Sequence, residues 1–89
     1  MISSAQMRAA RALLGWDQRQ LAEAARLSLP TIQRMEASDG LVRGNVDSLM
    51  KVVEALEQAG VILIAEGAEC PAGGRGVRFL PPSSKEQHE

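Results

Sequence analysis

The chain has 89 residues, of which 45% are hydrophobic and 2% aromatic, with a formal net charge of −1. A chain of this length forms one domain with a modest core, and with so few aromatic residues that core must be mainly aliphatic. One cysteine and one histidine exclude an intrachain disulfide and a metal cluster within one chain, while the near-neutral charge excludes a strong sequence-independent hold on polyanions.

The first predicted helix covers residues 3–14, with Ser3 or Ser4 available as N-cap and Gly15 suited to a left-handed end. Its arginines, Arg8 and Arg11, fall at the spacing of a solvated face. They also interrupt the apolar residues near the N-terminus, so no signal peptide or transmembrane helix is predicted. We therefore expect a soluble, cytoplasmic protein without membrane partners.

A second helix is predicted to end near Ala25, with Asp17 as its N-cap and Gln20 at the capping-box position. Trp16, just before the cap, is predicted to pack back against Leu21 as a hydrophobic staple. The small side chains on the buried side suit a close approach of the next helix.

The third helix, residues 28–37, has Ser28 as its predicted N-cap and Pro30 in its first turn, where a missing N–H is tolerated. Ile32 and Met35 are predicted to point inward. Four other side chains then face outward as a candidate reading surface: Leu29, Pro30, Gln33 and Arg34.

A glycine-containing loop over 38–44 precedes a fourth predicted helix, capped by Asn45 or Asp47 and ended by Gly60. Its apolar residues follow the helical period at Leu49, Val52, Val53 and Leu56. The fold class predicted from these patterns is mainly α, with four to five helices followed by a β-hairpin.

The hairpin is predicted from two apolar runs, VILIA from residue 61 and GVRFL over 76–80. An isolated two-stranded hairpin is marginal in water, so something must cover it. We expect a second copy of the chain to do so, with packing on the chain's own helices as the alternative. Residues 1–60 are then one helical domain, 61–80 a dimerisation element and 81–89 a flexible tail, and the predicted dimer contacts are Val61, Ile62, Leu63, Ile64, Val77 and Phe79.

The run LGWDQRQLAEAARLSLPTIQRMEAS resembles the Cro/repressor-like (Xre-type) helix-turn-helix family of bacteria and their phages. The family pattern matches in register at Gln18, Leu21-Ala22, Ala25, Leu27-Ser28, Thr31-Ile32 and Glu36. The chain departs from the pattern at the corner, where Ala25 or Arg26 replaces a frequent glycine, and at Ala37-Ser38, where Asn-Gly is common. A terminal hairpin is similar to the dimer-forming tails of some short members.

The resemblance implies a lambda-repressor-like fold that reads the major groove with the third helix. Leu29, Pro30, Gln33 and Arg34 would contact bases, and the alternative is an ordinary solvated helix face. By family analogy and by their places near helix N-termini, Gln18 and Thr31 would bind phosphates, with helix capping as the alternative. Three further phosphate contacts are predicted next to these elements, at Arg19, Ser28 and Arg43.

These features predict a dimeric repressor that binds a palindromic double-stranded operator without a cofactor or metal. The alternative is an antitoxin or adaptor whose main role is to hold a partner protein such as a toxin. An enzyme is not predicted, because no nucleophile–base pair, phosphate-binding glycine loop or metal-ligand spacing occurs. We expect Glu36 to pair with an arginine rather than act in catalysis, and Cys70 to be a loop thiol rather than a redox sensor.

Overall fold

The computed structural model describes residues 2–42, 44–64 and 74–80. Within these ranges the fold is mainly helical, as the sequence predicts, with four helices followed by two antiparallel strands. The elements are α1 (Ser4–Leu14), α2 (Gln18–Ala25), α3 (Leu29–Glu36), α4 (Val46–Gln58), β1 (Val61–Ile64) and β2 (Gly76–Phe79). No helix in these ranges is long and apolar enough to cross a membrane.

All four helices begin at a side-chain cap, which satisfies a backbone N–H that the helix itself leaves unpaired. The caps are Ser3, Asp17, Ser28 and Asn45, and each accepts a hydrogen bond from the N–H three residues later. Helices α1 and α2 also have complete capping boxes, in which a glutamine side chain accepts from the N-cap N–H. The predicted starts are confirmed, with Ser3 and Asn45 chosen from the alternatives.

Two helices end in the left-handed conformation. Gly15 closes α1 with φ 70°, as predicted, and Arg26 closes α2 with φ 60°. Glycine adopts this conformation without steric cost, whereas a residue with a Cβ pays about 1–2 kcal/mol. The corner of the helix-turn-helix therefore uses a residue that is strained in a position where the Xre-type pattern favours glycine.

The core lies between the helices and the first strand, and its central side chains are aliphatic or methionine. The predicted inward residues Ile32 and Met35 of α3 are buried, as is Leu21 of α2. On α4, Val52 and Leu56 are fully buried, while Leu49 and Val53 pack against the core from a half-buried position. Trp16 also packs against the core from such a position, and its staple contact with Leu21 stays a prediction.

The hairpin packs one face on the chain's own helices. Val61 pairs with Phe79 and Leu63 with Val77, so these four side chains share a face. Val61 is fully buried, and Leu63 and Val77 pack against the core beside α1 and α4. The chain's own helices therefore cover Val61, Leu63 and Val77, whereas Phe79 on the same face is exposed. Contact of the hairpin with a second copy stays a prediction.

One polar side chain ties the hairpin to α1. The Nε2 of Gln6 donates to the carbonyl of Ile64 at 3.0 Å and to that of Gly76 at 2.9 Å, bridging both strands. At the other end of the hairpin, the N–H of Leu80 donates to the carbonyl of Gly60 at 2.7 Å. Gln6 thus ties the hairpin to α1, while the Leu80–Gly60 bond extends the pairing of the two strands by one residue.

Candidate nucleic-acid interface

The exposed face of α3 and of its C-cap residue is contiguous. Helical spacing i, i+3, i+4, i+7 places four exposed residues on one side of the helix: Pro30, Gln33, Arg34 and Ala37. The predicted reading residue Leu29 lies at the N-terminal tip of the same helix and is half-buried. The structure therefore brings the four predicted reading residues together at one surface.

Ala37 is the member of this face that the sequence reading missed. Its position seven residues after Pro30 places it on the same side of the helix, so the spacing could have identified it. An alanine side chain has no hydrogen-bonding group that would suggest a contact with bases. The Ala37 side chain is a single methyl group and does not project far from the helix. A partner surface can therefore approach α3 along its whole length.

The chemistry of this face suits base edges. Arg34 presents a forked donor group, and Gln33 presents a donor and an acceptor on one amide. The acidic residue within α3, Glu36, is on the buried side, and the first turn of the helix contains no acid. The positive end of the helix dipole is therefore not offset by a neighbouring first-turn carboxylate.

The start of α2 supplies the second part of the interface. Arg19 is exposed, and Gln18 is half-buried, with its Nε2 donating to Glu36 Oε1 at 3.0 Å. The first turn of α2 holds no acid, although the Asp17 carboxylate caps it by accepting from the N–H of Gln20 at 2.8 Å. Phosphate binding by Gln18 and Arg19 stays a prediction, and the amide of Gln18 already has one partner within the protein.

Ser28 and Thr31 are paired at the start of α3. Their hydroxyls lie 2.8 Å apart, and the Ser28 Oγ accepts from the Thr31 N–H at 3.2 Å. Capping chemistry thus accounts for these contacts, while Ser28 stays exposed and Thr31 half-buried. Phosphate binding by both stays a prediction, and Arg43 lies outside the described residues.

A buried ion pair fixes the orientation of α3. Arg11 of α1 donates to both carboxylate oxygens of Glu36, from Nε at 2.7 Å and from Nη2 at 2.9 Å. Glu36 has 3% of its side chain exposed and Arg11 has 19%. The predicted pairing of Glu36 with an arginine is confirmed, whereas the solvated face predicted for α1 is wrong at Arg11.

The same cluster joins three helices. Arg11 Nη1 donates to the Trp16 carbonyl at 3.1 Å, and Arg8 Nη1 donates to the Glu36 carbonyl at 2.8 Å. Together with the bond from Gln18, these contacts connect α1, the start of α2 and the end of α3. These contacts therefore fix the orientation of α3, and of its exposed face, relative to α1 and α2.

The hydrogen bond to Glu36 raises the pKa of Arg11 above its ordinary value, against the opposing effect of burial. The Coulombic attraction of Glu36 and of Asp17 acts in the same upward direction. A raised pKa stabilises the folded state at every pH below the ordinary value of an arginine and loses that effect only above it. The guanidinium consequently remains charged across the whole range in which proteins are handled.

The six predicted dimer residues divide between two faces of the hairpin. Val61, Leu63, Val77 and Phe79 are on the helix-facing side, where Phe79 nevertheless has 53% of its surface exposed. Ile62 and Ile64 are on the opposite face and are half-buried. Cys70 and the tail over 81–89 lie outside the described residues.

Residues 7–57, more than half of the chain, match the sequence profile of the helix-turn-helix family. The match contains all of α2 and α3, α1 from Met7 onward and α4 without its last residue, and it stops before the hairpin. No curated protein matches the chain.

Proposed function

The chain belongs to the Xre/Cro-type helix-turn-helix family of DNA-binding transcription regulators, and from that premise we propose that it is a sequence-specific, dimeric repressor. In this proposal α3 enters the major groove of double-stranded DNA, where each base pair has a distinct pattern of donors and acceptors. No cofactor, metal or catalytic step is required, and a cytoplasmic location follows from the target.

The exposed face of α3 carries the proposal. Arg34 would donate two hydrogen bonds to guanine, Gln33 would pair with adenine, and Leu29 or Pro30 would contact a thymine methyl. The Arg11–Glu36 pair supports this assignment, because it holds the helix from its buried side and leaves the outer side chains unencumbered. A helix that reads bases must be held in a fixed orientation, because a small displacement would break the directional hydrogen bonds between its side chains and the base edges.

The charge balance supports binding as a pair. Residues 1–43 contain six arginines and four acidic residues. Arg11 and Glu36 neutralise each other in their ion pair, which leaves five arginines and three acidic residues. Few phosphates can then be neutralised by one copy, so non-specific affinity is low. Two copies would place two α3 helices in successive major grooves, about 34 Å apart, on a palindromic operator.

A fluorescence-anisotropy titration tests the proposal directly. The ligand is an imperfect palindrome from the region upstream of the gene, and the competitor is a scrambled duplex of equal length and composition. We expect salt-sensitive, preferential binding to the palindrome. Equal affinity for both duplexes at every salt concentration would contradict a sequence-specific regulator.

A matched pair of arginine variants separates base reading from phosphate binding. Arg34→Ala should relax base preference at one position per half-site by about 1–3 kcal/mol. Arg19→Ala should weaken all duplexes equally and reduce the salt slope by about one. If Arg34→Ala behaved like Arg19→Ala, then Arg34 would be a phosphate contact and the base assignment would be lost.

A second candidate function, an antitoxin or adaptor that holds a partner protein, is favoured by one feature of α4. Val46 and Met50 lie on the same side of that helix with 71% and 51% of their surfaces exposed. Co-expression with the product of the neighbouring gene, followed by affinity purification of either protein, tests this role. Met50→Lys should abolish co-purification if this side of α4 binds the partner, whereas Arg34→Ala should leave it intact.

A further inference from the structure

A cleft lies between the C-terminal end of α2 and one side of α4. Its volume is about 290 Å³, and the residues that line it include Ala25, Arg26, Lys51, Glu54, Ala55 and Gln58. The four residues from α4 follow the spacing i, i+3, i+4, i+7, so they share one side of that helix. The cleft is at the end of α2 opposite to Gln18 and Arg19, so a molecule bound in it would not compete with DNA phosphates at the start of the helix.

The lining of the cleft combines small buried side chains with long exposed ones. Ala25 and Ala55 are buried, and each carries only a methyl group, which leaves space between the two helices. Arg26, Lys51 and Glu54 are exposed and carry charges. Apolar groups with a few polar groups beside them are typical of sites for small molecules.

The charged side chains of the cleft have no partner within the part of the chain that the structure describes. In that part, the side chains of Arg26, Lys51 and Glu54 form neither a hydrogen bond nor an ion pair. Lys51 and Glu54 are three residues apart on α4, a spacing at which opposite charges can pair. Because they do not pair, charges of both signs are available to groups from outside the chain.

Arg26 has a strained backbone at this position. Its φ of 60° is left-handed, a conformation that is unfavourable for a residue with a Cβ. The helix dipole favours a cation at the end of α2, but that effect is generally smaller than the cost of the backbone conformation. Strained residues concentrate at binding sites. The strain therefore points to a binding role for the Arg26 guanidinium.

We propose that the cleft between α2 and α4 binds a small metabolite with two carboxylates and one ammonium group, the charge pattern of an acidic amino acid. Arg26 binds one carboxylate through its forked donors, Lys51 binds the other, and Glu54 accepts from the ammonium. The hydrocarbon part of the ligand lies over the methyl groups of Ala25 and Ala55. Such a site goes beyond the DNA-binding function and does not depend on it.

Charge and size distinguish this ligand class from others. A phosphate ester or a simple dicarboxylate would bring negative charge to Glu54 without a cation to offset it, and a polyamine would meet Arg26 and Lys51. The volume of the cleft is near the lower limit of about 300 Å³ for ligand pockets, which suits a metabolite better than a nucleotide.

An NMR titration of the isotope-labelled full chain, without DNA, tests the proposal. The probes are L-glutamate and glutarate, which has the same two carboxylates but no ammonium group, and ionic strength is held constant. We expect amide shifts confined to residues 24–26 and 51–58. Glutamate should bind about five-fold more tightly than glutarate, because only glutamate has a cation for Glu54.

A matched pair of arginine variants tests the role of Arg26. Arg26→Gly should weaken glutamate binding about five-fold. Because this change relieves the left-handed strain, the variant should unfold at no lower temperature than the wild type, and unfolding would not account for the loss. The control Arg19→Ala removes an exposed arginine from the other end of α2 and should leave glutamate binding unchanged.

Glu54→Gln gives a result of opposite sign for the two probes. Glutamate should bind more weakly to this variant, because its ammonium loses a carboxylate partner. Glutarate should bind more tightly, because a repulsive charge is removed. General attraction of anions to Arg26 and Lys51 would instead strengthen the binding of both probes.

Opposite changes in Glu54→Gln, together with weaker glutamate binding by Arg26→Gly, support the site. It is overturned if tens of millimolar glutamate shift no amide of the cleft, if Arg26→Gly binds glutamate as the wild type does, or if Glu54→Gln binds both probes more tightly. Because the titration contains no DNA, a failure of operator binding would leave the site standing.

Discussion

The helix-turn-helix and the hairpin are stabilised in different ways within one small chain. Helices α2 and α3 have side-chain caps at both starts, fully buried aliphatic residues and the Arg11–Glu36 ion pair beneath them. Among the described residues, the hairpin has one face on the core, two hydrogen bonds from Gln6 of α1, and a sheet of only two strands. The contacts that hold the helix-turn-helix all come from one chain, whereas the hairpin is a two-stranded sheet whose outer edge pairs with no other described strand.

The largest effect should come from breaking the Arg11–Glu36 ion pair beneath α3. Glu36→Ala should lower the free energy of unfolding by about 3 kcal/mol, because Arg11 would remain largely buried without its partner. Urea denaturation measures this loss. Operator affinity should fall as well, since the Glu36 side chain also holds Gln18 at the start of α2.

The matched control for that variant is Glu23→Ala, which removes an exposed acid from α2. Its free energy of unfolding should stay within about 0.5 kcal/mol of the wild type. Similar losses in both variants would mean that the Arg11–Glu36 ion pair does not hold α3 in place.

A smaller effect, confined to the hairpin, is expected for Gln6→Glu. The retained oxygen can still accept from the Ser3 N–H, but both donors to the Ile64 and Gly76 carbonyls are lost. The free energy of unfolding should fall by about 2 kcal/mol. Amide exchange should accelerate in residues 61–64 more than in α2 and α3, as measured by NMR.

The corresponding control, Gln20→Glu, changes a glutamine with the same capping-box role in α2 but with its side chain exposed. We expect a change in unfolding free energy below about 0.5 kcal/mol. Equal acceleration of exchange throughout the chain in Gln6→Glu would show that the hairpin and the helices unfold as one unit.

The smallest effect concerns the two left-handed helix ends. Arg26→Gly should raise the free energy of unfolding by about 0.5–1 kcal/mol, because the relief of backbone strain exceeds the entropy that glycine adds to the unfolded chain. Gly15→Ala is the reverse test and should lower it by about 1 kcal/mol, since an added Cβ at Gly15 meets no atom within 4 Å and only the backbone conformation is strained. Thermal unfolding resolves both shifts, and an unchanged or lower value for Arg26→Gly would show that the Arg26 side chain stabilises the corner.

The sequence by itself determined the helix starts, the inward residues and the family pattern. A cap such as Ser28 depends on an N–H only three residues away, so local spacing is sufficient to predict it. The inward positions Ile32 and Met35 follow from the helical period in the same local way. The exposed face of α3 was predictable for the same reason, apart from Ala37, whose side chain has no hydrogen-bonding group.

The tertiary structure alone decided how these elements are held together. Arg11 meets Glu36 across 25 residues of chain, and Gln6 meets the hairpin across 58 and 70 residues. Helical spacing places Arg11 near a solvated face, and nothing local indicates that a carboxylate from α3 will reach it. The covered face of the hairpin was likewise decided by where α1 and α4 leave space, because an apolar strand shows that it must be buried without showing against what.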